Sequence, residues 1–116
     1  MNYQQWRSAF AEAMDPRFYT IDYLDTLVFT GRAFLWANDD AAIVAEFKHF
    51  PTGARAIHGL VAAGDLEAIK GLIRTAEAWG KEQGCVGALI ESRPAWAKIL
   101  KAEGYSPFQQ SVWKDI

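Results

Sequence analysis

The sequence predicts an α/β (α+β) fold: one mixed β-sheet, an antiparallel meander followed by a βαβ unit, with helices on both faces. Three observations carry this. Apolar residues recur at helical spacing over the first thirty positions and then switch to alternation through residue 62. The loops inside that alternating stretch are too short for a crossover, so its strands must pair antiparallel. A long amphipathic helix then leads to a short, nearly continuous apolar run, the pattern of a strand covered on both faces.

Tyr3, Trp6, Phe10 and Met14 share one face of a first helix, 3–14, which Asp15-Pro16 stops. Thr20 is placed to cap a second helix, with Asp22 in its first turn and Ile21, Leu24, Leu27 and Val28 on one side. Gly31 follows at the position where a left-handed residue ends a helix. Ala33–Ala37 is a short strand, Asn38-Asp39-Asp40 a turn, and Ala42–Phe50 a second strand with Ile43, Ala45, Phe47 and His49 on one face. Pro51-Thr52-Gly53 turns the chain into a third strand, Ala54–Ala62.

Gly64 breaks that strand and Asp65 caps a long helix, 65–83, whose stripe is Leu66, Ile69, Ile73, Ala76 and Gly80, flanked by Leu72 and Trp79. Cys85–Ile90 is the apolar run. Strand, helix and run form a right-handed βαβ unit. Ser92-Arg93-Pro94 opens a last helix with Trp96, Ile99 and Leu100 inward, Gly104 closes it, and Phe108–Trp113 is a final strand. The expected core includes Leu66, Ile69, Ile73, Val86, Ala88, Ile90, Ile99 and Leu100.

Composition narrows the function. At 116 residues the chain fits one domain, 1–116. Its 51% apolar content and net charge of −2 exclude disorder, and its five Trp, four Tyr and seven Phe supply the bulk that a small core needs. The twelve Lys and Arg form no cluster, which argues against nucleic acid as a partner. No stretch nears the ~20 apolar residues of a membrane span, and the N-terminus lacks the pattern of a signal peptide. A single Cys85 with two His builds no disulfide and no conventional zinc site, so no metal is expected and a reducing, cytoplasmic setting is the default.

The element order, with Trp79-Gly80-Lys81-Glu82-Gln83-Gly84-Cys85, Ile99-Leu100-Lys101-Ala102-Glu103-Gly104-Tyr105 and the closing Val112-Trp113-Lys114, resembles the GCN5-related N-acetyltransferase (GNAT) superfamily over residues 18–116. The resemblance extends to short, degenerate chains of this kind encoded by tailed phages, which adds a virion component to the possible settings. It implies an acyl-CoA site in which a Gly-rich loop led by Arg or Gln, before the long helix, wraps the pyrophosphate with backbone N–H groups. Here that stretch is Val61-Ala62-Ala63-Gly64-Asp65-Leu66-Glu67, with one Gly, no basic lead and two carboxylates in the first turn. If acetyl-CoA binds at all, Leu60, Val61, Ala62 and Gly64 are the residues to hold it. The resemblance also implies a Tyr acid on the last helix, four residues before the Gly, where this chain has Leu100.

Among side chains able to move a proton, His58 in the third strand and Glu91 at the end of the apolar run are the candidates, each with a plain alternative as a packed histidine and a helix-start carboxylate. Cys85 reads as a small packed group; Trp36 and Trp96 read as core or as the lining of a cleft or partner patch. The expectation is a GNAT-fold protein without a cofactor, having lost acetyl-CoA binding and acyl transfer, that binds another protein or itself. The N-terminal aromatic stripe should either pack on the sheet or contact another chain as a docking surface. The alternative is an active N-acyltransferase with an atypical CoA site.

Overall fold

The computed structural model describes residues 2–116. Its elements are α1 (Tyr3–Ala13), α2 (Ile21–Phe29), β1 (Ala33–Ala37), β2 (Ala41–His49), β3 (Arg55–Gly64), α3 (Leu66–Glu82), β4 (Gly87–Ile90) and α4 (Pro94–Lys101). The strands form one sheet in the order β1-β2-β3-β4. The first three pair antiparallel in sequence order and β4 joins β3 parallel, with α3 crossing between them. This is the mixed sheet expected from the sequence.

The helix starts are built as their residues dictate. Asn2 accepts from the backbone N–H of Gln5, whose side chain accepts from the N–H of Asn2, a reciprocal capping box. The Thr20 side chain accepts from the Tyr23 N–H. Gly31, at φ +73°, reverses the chain after α2, and the Arg32 N–H closes on the Leu27 carbonyl.

Two cores lie on opposite faces of the sheet. Beneath α1 and α2, Tyr3, Phe10, Leu24 and Leu27 pack on Ala33, Ala42 and Val44. Beneath α3 and α4, Ile69, Leu72, Ile73, Ala76 and Leu100 pack on Ala41 and Ile43. Neighbours on β2 thus serve opposite cores, as the alternation of a strand requires. Further along the α3 face, Trp79 stacks on Phe47 with ring centroids 5.4 Å apart and meets Phe34 and Trp36 at 4.8 and 5.4 Å. Trp36 therefore belongs to the packing.

The structure corrects several expectations. The N-terminal stripe takes the first of its two expected places, on the sheet, and is not free for docking: Tyr3 and Phe10 are buried against the sheet and α2, with Trp6 half-buried beside them. Phe108–Trp113 forms no strand, and Cys85 and Val86 precede β4 without joining it. Lacking a strand on its outer side, β4 is an edge: Val86 is 77% exposed, while Ala88 and Ile90 are half-buried. Leu66, the first residue of α3, is also exposed. Ile99 is half-buried, and Ile69, Ile73 and Leu100 are buried as expected.

Arg7 ties α1 to α2 through ion pairs with Asp25 and, at 3.6 Å, with Asp22. The Arg7 guanidinium donates to both Asp25 oxygens, at 2.8 to 3.1 Å, and the Tyr3 hydroxyl donates to Asp25 Oδ1 at 2.7 Å. The Arg7 hydrogen bonds hold the Asp25 carboxyl below its ordinary range, and burial beside that carboxylate pushes the Tyr3 hydroxyl upward. A depressed carboxyl stabilises the fold above its unfolded pKa, about 3.9, and loses that contribution as pH falls through the folded value. Asp25→Asn should therefore lower the melting temperature at neutral pH, and its gap from the parent should close on acidification below the usual carboxylate range. Thermal melts across this range check it; a constant gap would contradict it.

Candidate functional site

The site begins with a bulge. Val44 pairs with Val61 but Ala45 pairs with Gly59, so Leu60 is an extra residue in β3. A bulge bends its strand and increases the local twist. The β3–β4 ladder ends at the same level, at the pair Gly59 and Ile90. Beyond it β3 continues to Gly64 while the other chain leaves for α4, and the two part in a wedge. The opening is a cleft of about 640 Å³ that reaches between the two helical layers. Leu60, Val61 and Ala62 form its β3 wall, Ile90, Trp96 and Leu100 the opposite wall, and Ile69 and Ile73 part of its floor.

The wedge is open. Trp96 lines it without filling it, and Tyr105 lies outside it, with its hydroxyl donating to Glu77 on α3. Burial, reinforced by that carboxylate, raises the Tyr105 hydroxyl above its usual range, so it stays protonated. Leu100, where the resemblance places a Tyr acid, meets the wedge with hydrocarbon.

His58 and Glu91 come together at the wedge. His58 Nε2 lies 3.0 Å from Glu91 Oε1, and Nδ1 lies 3.0 Å from Oε2 of Glu46, its cross-strand partner on β2. The His58 side chain is 13% exposed and that of Glu91 64%. A neutral imidazole donates to one of these carboxylates only; the imidazolium donates to both. The two carboxylates stand at opposite ring nitrogens, so the three side chains do not converge on one point. Among the described residues no cluster suits a metal ion. The arrangement can relay a proton between the wedge and the half-buried Glu46, with Glu91 as its solvent-facing end.

Sequence reasoning missed Glu46, although a lone carboxylate in Ala41–Phe47, otherwise apolar, was a visible signal. It also missed Tyr19 and Tyr23, which line the wedge with their ring centroids 6.4 Å apart.

The fourth residue of the expected CoA set, Gly64, is elsewhere. It does not line the wedge and is pressed against Asp40 and Ala41 at the start of β2. The Asp65 N–H donates to the Asp40 carbonyl at 2.9 Å, the Asp65 carboxylate accepts from the Ala68 N–H at 3.0 Å, and the Asp65 carbonyl accepts from Ile69. Glu67 follows in the first turn, paired with Lys70 at 3.1 Å. Of the outer N–H groups of α3, those of Asp65 and Ala68 are taken and those of Leu66 and Glu67 have no partner among the described residues, but the carboxylates of Asp65 and Glu67 stand where an anion would sit. His49 ends β2 at the surface, Cys85 is half-buried, and Arg93, Lys98 and Lys101 are solvated.

The sequence matches no family profile and no curated protein. Solved structures do match. An aminoglycoside antibiotic 6′-N-acetyltransferase of Acinetobacter haemolyticus superimposes with a TM-score of 0.70 at 13% identity, over 99% of this chain and 94% of its own. Glucosamine-6-phosphate N-acetyltransferase of Arabidopsis thaliana gives 0.67 at 12%, over 99% and 94%. A Trypanosoma brucei acetyltransferase gives 0.68 at 10%, over 97% and 92%. At such identities the likeness is one of fold: the chain has the architecture of the GNAT acetyltransferases.

Proposed function

We propose that the chain is a GNAT-fold protein that has lost acetyl-CoA binding and acyl transfer and works as a protein-binding or structural module. The observation that carries this reading is the start of α3. A phosphate group bound there would need free N–H donors, a backbone able to approach, and no competing charge. Here β3 ends at Gly64 and a single residue, Asp65, leads into α3, the Asp65 carboxylate takes the Ala68 N–H, and Glu67 adds a second negative group. Leu100 supports the reading further, since it supplies no proton to a departing thiolate. A virion setting has no observation behind it in the fold and is not part of this proposal.

A second reading, an N-acyltransferase with an atypical CoA site, is favoured by one observation: the wedge is open and carries His58 between Glu46 and Glu91, with Tyr19 and Tyr23 also in its lining. Titration calorimetry with acetyl-CoA at low salt separates the two. The expected dissociation constant is weaker than about 1 mM, less than ~4 kcal/mol of binding free energy. Asp65→Gly should leave it in that range, because removing the charge does not restore the missing loop. A micromolar constant for the parent chain would overturn the first reading and make acyl transfer to an amine the leading function.

A further inference from the structure

Helix α4 is held differently at its two ends. At its C-terminal end Leu100 is buried, Glu103 pairs with Arg74 of α3, and the Tyr105 hydroxyl donates to Glu77. At its start no side chain caps the helix, and among the described residues no backbone hydrogen bond joins residues 91–93 to β3 or α3. The β3–β4 ladder has already ended, at Gly59 and Ile90. Trp96 packs against the core under α3. Ahead of it, among the described residues, the polar contact that ties this wall of the wedge to the sheet is Glu91 on His58.

That contact depends on a proton. His58 Nδ1 lies 3.0 Å from Glu46 Oε2 and Nε2 lies 3.0 Å from Glu91 Oε1. Carboxylate oxygens only accept, so both contacts stand together only when both ring nitrogens donate, which requires the imidazolium. A neutral ring has one N–H. Glu46 takes it, because that carboxylate is half-buried on the same ladder and is costlier to leave unpaired than the exposed Glu91. Nε2 then presents a lone pair to the Glu91 oxygen, acceptor against acceptor, and Glu91 must leave.

The other charged and titratable groups around the ring do not take over either contact. Glu12 and Asp15 at the end of α1, Tyr19 and Tyr23, and Arg93 before α4 line the wedge with His58. Asp15 is held by Arg17, and Lys48, two residues along β2 from Glu46, is exposed. Among the described residues none of these groups is hydrogen-bonded or ion-paired to the ring.

We propose that His58 is a proton-operated latch on the wedge. The charged ring ties Glu91, and with it the start of α4, to the pair that His58 forms with Glu46. Loss of the Nε2 proton to solvent frees residues 91–93, and the wall carrying Trp96 swings outward about its fastened C-terminal end. Histidine changes charge between about pH 5 and 8, so the wedge is narrower in mild acid and wider in mild base. The latch uses only groups of the chain itself and does not rest on the loss of acetyl-CoA binding, so either inference can fail without the other.

Nitrogen NMR of the imidazole, with backbone relaxation measured on the same full-length chain from pH 5 to 8, tests it. In mild acid both His58 ring nitrogens should carry protons, and residues 91–93 should have order parameters near the rigid value of about 0.85. As the ring loses a proton it should keep the one on Nδ1, and those order parameters should fall below about 0.6 with the same midpoint. Glu91→Gln should abolish the fall, because an amide side chain accepts from the imidazolium and donates to the neutral ring, so the segment stays docked throughout. Glu91→Ala should leave 91–93 mobile across the whole range. A ring that keeps one protonation state from pH 5 to 8 would overturn the proposal, as would a neutral ring protonated on Nε2. So would residues 91–93 whose order does not follow the ring, or a Glu91→Gln chain that still loosens at the parent's midpoint.

Discussion

Phe10→Ala should destabilise the chain by about 3–5 kcal/mol, a large part of the ~5–15 kcal/mol that holds a domain of this size together. Phe10 is the largest fully enclosed side chain, with 0% of its surface exposed. Its ring meets Tyr3 at 6.0 Å and lies in the core that joins α1, α2, β1 and β2. Truncation removes the hydrophobic contribution of the ring and leaves a cavity that several elements would have to move to close, which is why the upper end of the range applies. Urea denaturation should show a lower midpoint with an unchanged slope. Tyr19, exposed at the wedge mouth, is the control: Tyr19→Ala should change stability by less than about 0.5 kcal/mol. A loss below about 1 kcal/mol for Phe10→Ala would mean that α1 is not an integral layer of the fold.

That α1 would carry a core residue was legible in the spacing of Tyr3, Trp6 and Phe10, but what the stripe packs against was not, because helical periodicity names a face and not its partner. The caps at Thr20 and Asp65, the meander and the parallel pairing of the last strand were all readable, since each rests on local residue chemistry or on a loop too short for any other connection. The bulge was invisible. Leu60 and Val61 read as two steps of an alternating strand, yet both pack toward the α1 core because an extra residue shifts the register between them. That shift is a property of two strands together, and the wedge depends on it. Glu46 was missed for a related reason: its role comes from facing His58 across the ladder. The final strand failed in the opposite sense. Phe108–Trp113 has the composition of a strand, but a strand exists only where an edge takes it, and within one chain the segment pairs with none.

Gly64→Ala should cost about 3 kcal/mol or more, several times the effect of the same change at Gly53. Both glycines have positive φ, +107° and +89°, a region that a side chain occupies at a cost of roughly 1–2 kcal/mol. The difference is space. A Cβ at Gly53 would meet nothing, whereas at Gly64 it would overlap the Asp40 carbonyl oxygen and stand 2.6 Å from the Ala41 Cα. Those atoms are backbone and cannot swing aside. The same Asp40 oxygen accepts the Asp65 N–H, so relieving the overlap means pulling α3 away from the β1–β2 turn and loosening the Asp65 cap. The paired variants also bear on function. If Gly64 served only to let a phosphate approach the start of α3, Gly64→Ala would unfold at nearly the same urea concentration as Gly53→Ala, and acyl-CoA affinity alone would change. The close contact with Asp40 and Ala41 assigns the glycine to the joint between sheet and helix, and a midpoint for Gly64→Ala well below that of Gly53→Ala is the expected result.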